Sequence, residues 1–237
     1  MINVSQLSVY FGKVCAVDRV SLDLFPGEIR GIVGLNGVGK SSLANAIAGR
    51  VIPKYGTVSL DDSVITHHAP HQRPQIGLVP EGRILAPSLS VVETLQLGAG
   101  RVAGSDFKAR LDNVFAIFPE LVPRMTQAAG SLSGGEASLL SIARALIKQP
   151  DYLILDEPTL GLSPAATVRV FGIMSKLRER GMSILLIEQN LEQVIQLTDR
   201  ISVMRYGRVT PIEAGADDQT LSTIQNLLFS KPRSEHE

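Results

Sequence analysis

Residues 34–41 read Gly-Leu-Asn-Gly-Val-Gly-Lys-Ser, a G-x-x-x-x-G-K-S run directly behind the apolar stretch Ile29 to Val33. A buried strand feeding such a turn constrains the fold more than any other feature of the chain. Consecutive backbone N–H groups must turn inward to cradle a phosphate, and Gly34, Gly37 and Gly39 give the backbone the freedom to do so. Leu35, Asn36 and Val38 complete the cradle. Lys40 places an ammonium against the β and γ phosphates, and the Ser41 hydroxyl is the one offered to Mg²⁺. Ser42 to Ala48 is predicted helical and Gly49 to end it, so a helix N-terminus adds its dipole to the anion site.

At 237 residues the chain suits one or two compact lobes with a substantial core. Lysine plus arginine and aspartate plus glutamate balance at 23 each, so bulk charge points to no nucleic acid and no anionic membrane surface. Hydrophobic residues make up 44%, yet the longest apolar runs, such as Ile184 to Ile187, are far too short to span a bilayer. The chain therefore reads as soluble. Its start, Met1-Ile2-Asn3-Val4-Ser5-Gln6, lacks the basic segment and apolar core of a secretory signal. The single Cys15 reads as a small packed residue and agrees with a reducing cytosol.

Apolar alternation in Ile2, Val4, Leu7 and Val9, and again in Val20, Leu22 and Leu24, predicts half-buried strands that form a β-rich edge. Thr57 to Leu60 and Ile76 to Val79 are further strand candidates. The character then changes. Ser90-Val91-Val92-Glu93 is a capping box opening a helix to about Leu97, and Ser105 is read as the cap of a second with Phe107, Leu111, Val114 and Phe115 on one face, stopped near Pro119. Residues 83–148 thus look like a helical insert. Beyond it strand and helix alternate: Tyr152 to Leu155, a helix from Ser163-Pro164 to about Glu179, Ser183 to Ile187, and a helix opened by Asn190. That order implies a parallel sheet with crossover helices. Leu221, Ile224, Leu227 and Leu228 fit a short amphipathic helix before a polar tail. His67, His68 and His71 lie in a Pro-flanked loop without acidic or cysteine partners at ligand spacing, and read as solvated loop residues.

Two more motifs flank the insert's end. In Leu132-Ser133-Gly134-Gly135-Glu136, Ser133 and Glu136 form a capping box, so the N–H groups of Gly134 and Gly135 crown a helix end that attracts anions. In Tyr152-Leu153-Ile154-Leu155-Asp156-Glu157 an apolar strand ends in two carboxylates. Together with the phosphate loop, in this order and spacing, these motifs closely resemble the ATP-binding-cassette family, from about Asn3 to about Thr210.

The resemblance implies an α/β fold: a phosphate-loop NTPase (RecA-like) core with a β-rich N-terminal edge and an inserted helical subdomain. Residues 1–82 and 149–237 would form the nucleotide-binding core, and 83–148 the helical subdomain. It implies ATP and Mg²⁺ as cofactors and ATP hydrolysis as the activity. Asp156 would hold the metal through water, and Glu157 would reach the water that attacks the γ phosphate. Ser133, Gly134 and Gly135 would meet the γ phosphate bound to a second ATPase subunit, giving a head-to-tail dimer. For the adenine, Phe11 is the stacking candidate and Tyr10 its rival.

Three positions depart from the commonest cassette pattern. Glu81, in Val79-Pro80-Glu81-Gly82-Arg83, stands where many relatives have a metal-linking glutamine. Gln189, in Ile187-Glu188-Gln189-Asn190, stands where many have a histidine at the γ phosphate, and Ser163 replaces the usual aspartate of the dimer-crossing loop. The first two, with Phe118-Pro119-Glu120-Leu121, resemble the ATPases of branched-chain amino-acid importers; amides or urea are the alternative cargo. Since glutamine accepts no proton as histidine does, base catalysis would fall on Glu157. The resemblance further implies membrane permease subunits, indirectly a substrate-binding protein, no nucleic acid, and a peripheral place on the cytoplasmic face of the inner (plasma) membrane. A soluble cassette ATPase on DNA or ribosomes would need a duplicated motif set or sustained heptads, and neither is present. A phosphoryl-transferring kinase would leave residues 132–136 without a task.

Overall fold

A computed structural model describes residues 1–212 and 218–229. The chain opens with two long antiparallel strands, β1 (Ile2–Phe11) and β2 (Val14–Leu24), then β3 (Ile29–Val33), the phosphate loop and α1 (Lys40–Ile47). Strands β4 (Tyr55–Leu60), β5 (Ser63–Val64) and β6 (Ile76–Val79) follow. Next come α2 (Val91–Ala99), α3 (Gly104–Ile117) and α4 (Gly134–Leu146). The remainder alternates: β7 (Tyr152–Asp156), α5 (Pro164–Glu179), β8 (Ser183–Glu188), α6 (Leu191–Leu197), β9 (Arg200–Arg205), β10 (Arg208–Ile212) and α7 (Asp218–Phe229).

Two sheets result, one ordered β2-β1-β4-β5 and the other β10-β9-β3-β8-β7-β6. In the second, β6, β7, β8, β3 and β9 are parallel, and β3, β7 and β8 are buried at every residue. Burial on both faces explains their unbroken apolar runs, because each face has its own covering layer. Ile32, Ile154, Leu185 and Ile187 meet α1 and the antiparallel sheet. The alternate residues Ile29, Val33, Leu153, Leu155, Ile184 and Leu186 meet the helical side. Such a sandwich carries all four inner strand ends to one edge, with Val33 opposite Glu188 and Asp156 opposite Ile187.

The caps at Ser90, Ser133, Ser163 and Asn190 form as the sequence predicts, each side chain accepting from a backbone N–H of the first turn. Ser105 does not. Helix α3 begins at Gly104 behind an extended Ala103 with no side-chain cap, which puts Ser105 inside the first turn. Val114 is buried and Phe107, Leu111 and Phe115 pack against the core, so the apolar face is as read. Cys15 is exposed rather than packed, because it lies near the tip of the β1–β2 hairpin, beyond the core. Leu221, Ile224, Leu227 and Leu228 fall in α7; the polar stretch after Phe229 lies outside the described residues.

One element absent from the sequence reading braces the phosphate loop. The β9–β10 hairpin turns on Tyr206 and Gly207, both at positive φ (49° and 77°), the conformation a two-residue hairpin loop requires. Its Gly207 N–H donates to Val38 O at 3.0 Å, and its carbonyl accepts from Asp18 N at 2.8 Å. At the far end of α1, the buried Arg73 donates to Ala46 O (3.2 Å) and Ile47 O (2.5 Å), and to Thr66 O at 2.9 Å. Burial lowers its pKa, and the carbonyls at the negative end of the helix take the place of a carboxylate.

Candidate functional site

The phosphate loop is wedged between two backbones. A Cβ on Gly39 would sit 2.0 Å from Ala16 O on β2, and one on Gly34 would sit 2.5 Å from Met204 O on β9. Gly39 also adopts φ 107°, so only glycine satisfies both the dihedral and the approach. Helix α1 starts at Lys40, and its first-turn N–H groups crown the site.

Lys40 is buried, and its Nζ donates to Gly34 O and Leu35 O at 2.9 Å each. It also lies 3.2 Å from Glu157 Oε1. Glu157 follows the last residue of β7 at φ 49° and donates its N–H to Ile187 O, turning its side chain out of the strand line toward the lysine. Gln189, just past β8, donates from Nε2 to Glu157 Oε2 and to Asn36 Oδ1, both at 2.6 Å. The loop, the two strand ends and the helix start thus share one hydrogen-bonded chain: Asn36, Gln189, Glu157, Lys40.

Asp156 is 1% exposed, and its Oδ1 has no hydrogen-bond partner among the described residues. Burial pushes its carboxyl above the ordinary range; a hydrogen bond from Ser41 opposes this, and charges on Glu157 and Glu81 add to it. A buried carboxylate oxygen without a donor, beside a serine hydroxyl, offers a hard divalent cation two oxygen ligands. Asp156 and Ser41 are the residues here that could hold Mg²⁺; no group of three acidic, His or Cys side chains gathers around a metal position among the described residues. Glu81 itself is exposed on a short turn after β6, whose Val79 pairs with Leu155. Ser42 is half-buried in α1.

At the hairpin tip Phe11 and Tyr10 separate. Tyr10 packs edge-on against Tyr55 at 6.3 Å and beneath Lys54 Nζ at 4.8 Å. Phe11 is 53% exposed and pairs with Val14, two residues from the Ala16 carbonyl that abuts Gly39. Tyr10 is thus packed on one side, while Phe11 presents the more open ring.

Ser133, Gly134 and Gly135 stand apart from this cluster. Ser133 Oγ accepts from Glu136 N, while Glu136 Oε2 accepts from Ser133 N at 2.9 Å. The Ser133 backbone N–H first, then the Ser133 hydroxyl and Arg124, hold the Glu136 carboxyl below the usual range. The turn lines a cavity of about 360 Å³ with residues 161–163 and Arg169, and with none of residues 34–41.

Glu188 escaped the sequence reading. It is buried, and it accepts from Thr159 N (3.0 Å) and Thr159 Oγ1 (2.6 Å), fixing the chain just after Glu157. Burial raises its pKa, and the Thr159 and Gln189 donors counter the rise. A carboxylate closing an apolar run was its signal, the same one that marks Asp156. His67, His68 and His71 are exposed.

A family model described as ABC transporter matches residues 17–160. The chain is 36% identical over 218 residues to the high-affinity branched-chain amino acid transport ATP-binding protein BraG of Pseudomonas aeruginosa, covering 91% of this chain and 94% of that one. It is 35% identical to the fructose import ATP-binding protein FrcA of Rhizobium meliloti, covering 84% and 82%. Among solved structures, a nucleotide-free ATP-binding cassette from an ABC transporter superposes with a TM-score of 0.85 at 25% identity, covering 95% of each chain. No helix of the described residues is long and apolar enough to cross a membrane.

Proposed function

As the chain belongs to the ATP-binding-cassette transporter family and is one of its transport-coupled ATPases, we propose that it works head to tail with a second ATPase subunit, two ATP molecules held at the seam. The observation that carries this is the cavity at Ser133 to Glu136: an anion-attracting helix end that no phosphate-loop residue of its own chain lines. A phosphate for that end must come from another subunit. In the other direction, Asn36, Lys40, Glu157 and Gln189 gather on one edge and receive the chain's own ATP.

Phosphoryl transfer to water needs a base for the nucleophile and positive charge against the phosphates. Lys40 supplies the charge. Glu157 takes the proton, and Gln189 steadies its carboxylate through the 2.6 Å amide bond. Mg²⁺ held by Asp156, Ser41 and Glu81 would neutralise charge on the β and γ phosphates. Phe11 stacks the adenine. Gln189→Ala should therefore slow turnover roughly tenfold to a hundredfold, the range for one lost charge-assisted bond. Gln189→His should retain activity. Single-turnover hydrolysis by both variants with their membrane subunits checks this, and a loss at Gln189→Ala equal to that at Glu157→Gln would reverse the division of roles.

The seam has a direct test. Ser133→Arg fills the partner-facing helix end, so the monomer should keep its ATP affinity while dimerisation and turnover disappear. If the variant instead loses ATP binding as a monomer, that helix end serves its own site and the head-to-tail reading is wrong.

For cargo, the reading favours branched-chain amino acids, on the likeness to the Pseudomonas aeruginosa protein and on Glu81, Gln189 and Phe118 to Leu121. Residues 83–148 would dock the permease subunits at the cytoplasmic face of the inner membrane, where Ile84, Leu97, Val122 and Met125 expose apolar surface. A substrate-binding protein would deliver the cargo. Uptake of labelled leucine by the reconstituted assembly supports this; uptake of an amide, urea or a sugar alone overturns it.

A further inference from the structure

Arg83 has no part in the site as built above, yet its side chain joins two of the loops that the head-to-tail reading places on the partner's ATP. Its Nη1 donates to Gly134 O at 3.0 Å, in the capped turn of α4, and its Nη2 donates to Leu160 O at 2.6 Å, in the loop that would cross the dimer. Both loops leave room for the guanidinium: a Cβ on Gly134 would lie 3.0 Å from Nη1, and one on Gly161 would lie 3.6 Å from Nη2. The backbone is equally committed. Gly82 and Arg83 both adopt positive φ (81° and 56°), Arg83 O accepts from Ser141 Oγ at 3.0 Å, and Ile84 O accepts from Arg144 at 2.6 Å. Two residues upstream stands Glu81, whose charge reaches Asp156.

We propose that Arg83 is a positioning residue that couples the two ATP sites. It locks the segment that senses the chain's own nucleotide through Glu81 to the two loops, at Gly134 and Leu160, that touch the opposite one. A planar fork with donors on separate arms holds two carbonyls at a fixed spacing, so a shift of the Glu81 segment moves both loops together. Coupling then travels through one rigid group between elements that each belong to a different composite site. The proposal rests on the head-to-tail reading.

The full-length chain tests it as wild type, Arg83→Ala and Arg83→Lys, with Mg·ATP as the probe. Monomer ATP affinity is measured by calorimetry, and hydrolysis is followed against ATP concentration. Arg83→Ala should keep monomer affinity within about twofold, lose roughly tenfold in kcat, and drop the Hill coefficient from near about 2 toward about 1. Arg83→Lys, whose single ammonium replaces the fork, should fall between. Normal kcat and cooperativity in Arg83→Ala, or a wild type with no cooperativity, overturns the proposal. So does a parallel loss of ATP affinity and thermal midpoint that lysine does not relieve, because that marks a mere brace. Should Arg83→Ala fail to fold, Arg83→Lys carries the test: reduced cooperativity at unchanged affinity supports coupling, and wild-type behaviour refutes the need for the fork. Ser133→Arg separates the two readings. If it hydrolyses normally the seam is wrong whatever Arg83 does; if it is inactive while Arg83→Ala is normal, only the coupling role fails.

Discussion

Glu157→Gln should lose roughly a thousandfold in hydrolysis, within the range for removal of a general base, while ATP binding persists and the ATP-bound dimer accumulates. The expectation follows from what each carboxylate oxygen does. Oε1 faces Lys40 Nζ at 3.2 Å and Oε2 accepts the Gln189 amide at 2.6 Å, in a buried side chain. Glutamine keeps the shape, and the backbone N–H bond to Ile187 O keeps the turn. It has one acceptor where the carboxylate had two, so it cannot satisfy both donors and cannot take a proton from water. Removing a negative charge from beside the triphosphate also favours binding. Hydrolysis is the step that would reopen the closed dimer, so the closed form should persist. Size-exclusion chromatography with ATP and with ADP, beside single-turnover hydrolysis, reads both effects. A strictly monomeric variant with full activity would sink the assignment.

The parts legible in sequence were those where one local pattern admits one local structure. The run 34–41 behind Ile29 to Val33 fixed a strand, a loop and a helix start, and Ser90, Ser133, Ser163 and Asn190 announced four helices by their caps. Asp156 and Glu157 stood out as two carboxylates closing an apolar strand, while their roles and the choice of Gln189 came from the family resemblance. The β9–β10 hairpin was missed since Arg200 to Arg205 is short, bounded by charges and turned by Tyr206-Gly207, a pair outside the usual Asn-Gly or Asp-Gly signal. Ser105 misled because a good capping residue near a helix start does not decide which turn begins it. Glu188 carried the same signal as Asp156 and was passed over, whereas Arg83 and Arg73 were invisible for a different reason. Their partners are Gly134 O and Leu160 O, and Ala46 O and Ile47 O, backbone groups that every residue carries and no sequence pattern marks.

Lys40→Ala should cost about 2 to 5 kcal/mol of ATP binding, roughly thirtyfold to several thousandfold in affinity, the range for truncating one partner of a buried charge pair. Two effects add with the same sign. The variant would lose the ammonium proposed to face the β and γ phosphates, and it leaves Glu157 without its cation at 3.2 Å, so an uncompensated carboxylate would confront the triphosphate. The fold should survive, because the loop is held by backbone: Leu43 N bonds Gly39 O at 2.9 Å, Gly207 N bonds Val38 O at 3.0 Å, and Gly39 packs against Ala16 O. Lys40→Arg should not restore wild-type affinity. Lys40 is buried, with its ammonium donating to Gly34 O and Leu35 O beside Glu157, and a planar, longer guanidinium does not reproduce that point-charge geometry. Calorimetry with Mg·ATP, paired with circular dichroism, measures affinity and fold separately. An Ala variant that binds ATP as the wild type does, with a normal spectrum, would remove Lys40 from the phosphate site and with it the reading of residues 34–41 as a cradle.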